Sequence, residues 1–159
     1  MSGISPARKI ALLTQLIAGT TYLGLFSQMP NDDGTNGVEL TFGDNAYERL
    51  AISSGWSSAT QPAPSGSTYY AAYRSWPTSA VGVQYFKQCT GGGWAPIVGW
   101  GLFSNSSAYV PSGTGAANNL IVWGNFDSAP LLTVAGSQLA FDANHQIIVR
   151  IGSDTDVFI

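Results

Sequence analysis

Charge is what this chain lacks most. Asp, Glu, Lys and Arg supply 9% of its 159 residues, against roughly a quarter in an ordinary globular domain. Lysine occurs only as Lys9 and Lys87. Isolated domains keep more charge than this for solubility. A chain 45% hydrophobic with five tryptophans must therefore coat its surface with Ser, Thr, Asn, Gln and Gly, or have it covered by neighbouring subunits. The composition points to a protein built to sit inside an assembly.

Other shortages narrow the field further. The basic residues Arg8, Lys9, Arg49, Arg74, Lys87 and Arg150 are dispersed and the net charge is -3, so there is no basic stripe to hold a phosphate backbone, and nucleic acid is not an expected partner. Cys89 is the sole cysteine, which removes any intrachain disulfide and suits a reducing compartment. No run of about 18 or more apolar residues occurs, so no membrane-spanning helix is expected. Arg8-Lys9 followed by Ile10-Ala11-Leu12-Leu13 imitates a signal peptide. Thr14 and Gln15 interrupt it and no small-residue cleavage site follows, so an uncleaved, cytosolically made chain is expected.

What the chain has in plenty is punctuation. Nineteen glycines and eight prolines, with clusters of Ser, Thr and Asn, predict many turns between short strands. One helix is expected, at the start: Ser5 caps it, Pro6 suits its first position, Ile10, Leu13, Leu16 and Ile17 recur at helical spacing, and Gly19 stops it. From residue 20 the pattern turns to β. Strands are expected at 22–26, 38–42, 47–52, 80–88, 96–103, 119–126, 131–135 and 146–151, with 96–103 and 119–126 central because they are nearly continuous in apolar residues. Residues 57–68 read as a long loop. The fold class this implies is mainly β, a jelly-roll-like antiparallel β-sandwich with a short N-terminal α-helix. Its divisions are 1–20 (helix, a candidate anchor), 21–151 (sandwich) and 152–159 (a C-terminal tail).

Few residues invite chemistry. His145 is the only histidine, and Asp142-Ala143-Asn144-His145 reads more simply as a turn than as an acid–base site. A Cys89–His145 dyad would need the two to meet in space, and nothing around Cys89 lowers a thiol pKa. Gly91-Gly92-Gly93 lacks the Lys-Ser/Thr of a phosphate loop and reads as a turn. The stretch 31–39, with Asp32 and Asp33, offers oxygen ligands for calcium but misses EF-hand spacing, and Asx-rich turns form without metal. No catalytic residue, cofactor or metal is therefore assigned. The aromatic set Tyr69, Tyr70, Tyr73 and Trp76 is the best binding candidate: as an interface, where Tyr and Trp are enriched, in preference to a stacking platform for sugars. Val157, Phe158 and Ile159 form an apolar end behind two aspartates and are assigned with it to partner contacts. Trp94, Trp100 and Trp123 are assigned to the core.

The order of motifs resembles a known family. Tyr22-Leu23-Gly24-Leu25-Phe26, an Asp/Gly-rich loop, and Tyr47-Glu48-Arg49 before an apolar strand are similar to the opening of small bacteriophage tail-fibre or minor tail proteins. Trp94-Ala95-Pro96-Ile97-Val98-Gly99-Trp100-Gly101-Leu102-Phe103, the strand ending Trp123-Gly124, and Thr133-Val134-Ala135-Gly136 leading to Leu139-Ala140-Phe141 continue the resemblance. It covers roughly residues 6–151. Residues 57–78 are longer and more aromatic than is usual in such chains, and the tail after Gly152 is extra. The resemblance implies a non-enzymatic virion structural protein, assembled in the host bacterial cytoplasm, tail- or fibre-associated, and binding other virion proteins as a homo-oligomer. Two alternatives stand beside it: a capsid decoration (cement) protein, and a tail module that binds a host-surface glycan.

Overall fold

A computed structural model describes residues 4–60, 72–109, 119–126 and 133–151. The chain is mainly β, with antiparallel sheets and one α-helix. Helix α1 (Pro6–Leu16) is followed by β1 (Thr21–Gln28), β2 (Val38–Glu39) and β3 (Leu50–Ile52). Then come β4 (Ala72–Trp76), β5 (Gln84–Tyr85), β6 (Gly99–Phe103), β7 (Leu120–Asn125), β8 (Ala140–Phe141) and β9 (Ile147–Ile151). Two compact units result. One takes its residues from 1–19, 54–83 and 141–159, the other from 20–53 and 84–140. This grouping differs from the contiguous division at residue 20: the helix shares a unit with segments from the middle and end of the chain.

In the first unit, α1 starts as its sequence requires. Ser5 is extended, its hydroxyl accepts from the Arg8 N–H at 3.4 Å, and Pro6 opens the helix. The helix ends at Ile17, ahead of Gly19 with φ +74°. A helix of 11 residues is marginal alone, and α1 packs against β4 and β9. Those two strands are antiparallel, with Tyr73 opposite Arg150 and Ser75 opposite Ile148. Leu13, Ile17, Ala72, Trp76, Ile147 and Val149 are buried. Along the other edge of β4, Thr60 and Tyr73 exchange backbone hydrogen bonds and the Ser57 N–H donates to Ser75 O.

The second unit is built on a five-stranded antiparallel sheet ordered β2-β1-β6-β7, with β3 pairing β1 as well. Leu23 lies opposite Leu102 and Leu25 opposite Trp100, while Gly24 lies opposite Gly101. Alternation along a strand puts Leu23, Leu25, Trp100 and Leu102 on one face. Phe26 and Phe103 share the other with the glycines, and Tyr109 joins them there, with Tyr22, Met29, Leu120 and Trp123 packed around it. Every residue of β6 is buried, so both faces of the sheet centre are covered. Glycine is required at this face. A Cβ on Gly101 would stand 2.6 Å from a Phe26 ring carbon, and one on Gly24 would stand 2.6 Å from Glu39 Oε1.

Four strands expected from sequence are shorter or absent. Residues 80–88 do not form one strand. Ser79–Val81 is a 3-10 turn, Gly82 takes φ +64°, and only Gln84–Tyr85 pairs, with β8. The alternation of Val81, Val83 and Tyr85 was coincidental, since Val83 and Tyr85 are exposed. Residues 38–42 form a strand only at β2, with the Leu40 N–H still donating to Leu25 O at 3.0 Å, and 47–52 only at β3. The expected strand 131–135 lies partly outside the described residues, and 133–135 are not a strand.

Candidate functional site

The densest polar chemistry in the second unit gathers on one carboxylate. β2 places Glu39 over Gly24, whose missing Cβ leaves the space. Glu39 receives Arg49 Nε and Nη2 at 2.7 Å each, the Tyr47 hydroxyl at 3.0 Å and the Tyr109 N–H at 2.9 Å. The side chains of Arg49 and Glu39 are 1% and 4% exposed. Arg49 Nη1 donates to Asn105 O at 2.8 Å, and the guanidinium carbon lies 3.3 Å from the centroid of the Phe103 ring. The forked donor geometry of arginine suits a bidentate carboxylate and an aromatic face at once. Each polar atom is engaged, so the cluster binds the fold together and leaves no group free to act on a substrate.

Tyr47 ties this cluster to a second aromatic group. Its hydroxyl accepts from the Leu25 N–H at 2.9 Å while donating to Glu39. Its ring packs on Phe42, Phe86 and Trp94 at centroid distances of 5.6, 6.3 and 5.7 Å. Burial, and then the Glu39 charge, raise the Tyr47 phenol well above its usual 10.0. A phenol whose folded pKa exceeds its unfolded one contributes stability in full below the unfolded value, and loses it as pH rises from there through the folded value. Thermal unfolding from pH 8 upward is therefore expected to show a fall in stability beginning near pH 10.0, with the Tyr47-dependent part of that fall absent in Tyr47→Phe. An unchanged alkaline fall in Tyr47→Phe would remove Tyr47 as its cause.

Beside these rings, Ser27, Thr41, Asp44, Asn45, Tyr47 and Trp94 line a cleft of about 240 Å³. Its wall is unusually constrained. Gly43, Asn45 and Ala46 all have positive φ, at 80°, 49° and 67°. Asn45 holds the opposite loop: its amide donates to Gly93 O, and its carbonyl accepts from Thr90 N at 2.9 Å and from the Trp94 indole N–H at 3.1 Å.

Of the residues assigned from sequence to partner contacts, Tyr73 is half-buried on β4, and Trp76 is 1% exposed, within the core of its own unit. Trp76 donates its indole N–H to Ser54 O at 3.1 Å and packs on Trp56 and Phe141. Tyr69, Tyr70, Val157, Phe158 and Ile159 lie outside the described residues, as does the whole tail 152–159. Trp94 and Trp100 are buried, and Trp123 is partly buried.

The weaker candidates have structural work. Asp33 accepts from the Thr35 hydroxyl at 2.6 Å and the Thr35 N–H at 2.9 Å, which, the hydroxyl first, lower its pKa and close the turn. No group of three or more His, Cys, Asp or Glu able to hold a metal occurs among the described residues. Asp142 accepts from the N–H groups of Asn144 and His145 and lies 2.9 Å from His145 Nδ1. Those bonds, the Asn144 N–H first, lower its pKa and make this segment a turn. Cys89 is buried, and Gly91 has φ +61° in a turn. No described helix is long and apolar enough to cross a membrane.

Sequence reasoning did not identify Glu39, Arg49 and Tyr109 as one cluster, because the partners lie 10 and 70 residues from Glu39. The usable signal was the scarcity of charge itself: a Glu and an Arg inside apolar strands have to pair. No protein-family model, no curated protein and no solved structure matches this chain.

Proposed function

We propose that this chain is a non-enzymatic structural component of a bacteriophage particle, tail- or fibre-associated, which acts by burying surface against other virion proteins and against copies of itself. The five-stranded sheet, covered on both faces at its centre, is in this reading one layer of a jelly-roll-like β-sandwich.

The observation that carries the proposal is where the few charges go. Lys9 and Arg49 are buried and Arg74 is half-buried, its Nε donating to Ser57 O at 2.8 Å. The exposed surface is thus even poorer in cations than the composition indicates. Large apolar side chains stand out from it instead: Val134 is 66% exposed and Tyr85 52%, with Val38, Val83 and Ile148 also exposed. Such a surface gains by contact, because apolar area removed from water contributes roughly 25 cal/mol per Å² before the costs of association. The tail or fibre position rests on the order of sequence motifs.

Immunogold labelling of intact, purified particles with an antibody against this chain tests the reading. Gold confined to the tail or its tip supports it. Gold over the head makes the chain a decoration protein instead, and particles without label and without the chain reject a virion role.

A further inference from the structure

We infer that the outer edge of β7 pairs antiparallel with the same edge of a second copy of this chain, about a two-fold axis at Gly124, joining two five-stranded sheets into one. The inference rests on the self-association in the reading above and gives it a surface. It does not depend on where in a particle the chain sits.

The register of β7 shows which backbone groups its edge presents. β7 ends the strand order β2-β1-β6-β7, so one side meets β6 and the other meets no described strand. The Phe126 N–H donates to Val98 O at 3.1 Å, and the ladder continues with Gly124 opposite Trp100 and Val122 opposite Leu102. Opposed residues of an antiparallel pair alternate between exchanging hydrogen bonds and exchanging none. Phe126, Gly124 and Val122 therefore turn their N–H and C=O groups toward β6, and Trp123 and Asn125 turn theirs outward. Among the described residues, none bonds to those outward groups. Whereas β6 is buried throughout, every residue of β7 keeps some exposure, and Asn125 is exposed.

Native sheets guard an open edge with lysine, proline, a bulge or a very short strand. The other edge of this sheet is guarded so: β2 has 2 residues, and its register against β1 shifts between Phe26 and Gln28. β7 has 6 residues, with no proline and no charged side chain among them. Its one irregularity lies opposite Leu102 and Phe103, which leaves residues 122–126 regular.

The occupant that fits this edge is the edge itself. Pairing about Gly124 sets Trp123 opposite the partner's Asn125, and Asn125 opposite the partner's Trp123. Each of these pairs exchanges both its hydrogen bonds, so every outward group of the regular stretch meets its complement. Val122 then lies opposite the partner's Phe126, an apolar cross-strand pair on each side of the axis. At the axis the two Gly124 residues form a pair without hydrogen bonds, the kind in which the chains come closest, about 4.5 Å between Cα atoms. Gly124 brings no side chain to that contact. Residues 120–126 carry no charge to repel their copy or to attract a charged partner. A two-fold contact uses one patch twice and closes on itself, so it makes a dimer and stops there.

Sedimentation equilibrium of the full chain, with amide hydrogen exchange read residue by residue on the same samples, tests this. A monomer–dimer equilibrium is expected, in which protection of the Trp123 and Asn125 amides rises with chain concentration. Val122 and Gly124, bonded to β6, should be protected at every concentration. Asn125→Pro deletes an outward N–H at an edge position that tolerates proline. It is expected to raise the dimer dissociation constant about tenfold or more and to leave Val122 and Gly124 protected. Asn125→Lys, a charged guard of the kind edges carry, provides the same reading if the proline variant does not fold. A monomer at every concentration, a dimer whose Trp123 and Asn125 amides stay unprotected, or a folded variant that dimerises as tightly as the parent would each overturn the inference. None of these results bears on the immunogold labelling, which reports where the chain sits and not how two copies pair.

Discussion

Arg49→Met is expected to destabilise the protein by about 3–5 kcal/mol, the usual cost of removing one partner from a buried ion pair, and so to consume much of a domain's roughly 5–15 kcal/mol. The reason lies in what is left behind. Glu39 is buried and receives two of its four hydrogen bonds from Arg49. Without the guanidinium its charge has no opposite and cannot reach water. The loss extends to Asn105 O, which accepts from Nη1, and to the Phe103 ring beneath the guanidinium.

The double variant Glu39→Gln/Arg49→Met separates charge from packing. Gln keeps one oxygen to accept from the Tyr109 N–H, the Tyr47 hydroxyl can turn to accept from its amide, and the stranded charge is gone, so the double variant is expected to be more stable than Arg49→Met alone. Urea unfolding with an unchanged denaturant slope measures this. A double variant no better than the single would mean that packing against Phe103 and Phe42, and not the stranded charge, sets the cost.

Trp76→Ala is expected to be the other large loss, about 3–5 kcal/mol for emptying a tryptophan site in a core. Trp76 lies between Trp56 and Phe141 at ring distances of 6.4 and 5.9 Å. Its removal also takes the donor from Ser54 O. Hydrogen exchange should show the loss most clearly at β4 and β9, where Trp76 is opposite Ile147. Native-like protection of those amides in Trp76→Ala would contradict its place in this core. The consequence for function is practical. Trp76→Ala reports on stability and cannot serve as a probe of partner binding, whereas the half-buried Tyr73 on the same strand can.

What the sequence revealed follows from how local each signal is. α1 was legible because Ser5, Pro6, the apolar spacing and Gly19 all act within one short segment. The strands β1 and β6 were legible because nearly continuous apolar residues have to be buried on both faces; β7, expected as a central strand on the same ground, lies at the end of the strand order and is only partly buried. Residues 80–88 misled because alternating Val and Tyr resembles a strand whether or not a partner exists, and the left-handed Gly82 breaks the backbone between them. The grouping of α1 with β4 and β9 was hidden, since it depends on pairing across more than 70 residues, as between Trp76 and Ile147. The cleft was hidden for the same reason. Asn45 and Trp94 are 49 residues apart, and only the folded loops bring an amide, a carboxylate and an indole to one place.

The central claim is that a surface this poor in charge is covered in the assembled particle. Hydroxyl-radical footprinting of the free chain and of the chain within purified particles tests it most directly. The account predicts that Val38, Tyr85 and Val134, exposed in the isolated chain, are oxidised when it is free and protected in the particle. Equal oxidation in both states, or purified particles that contain none of this chain, would contradict it.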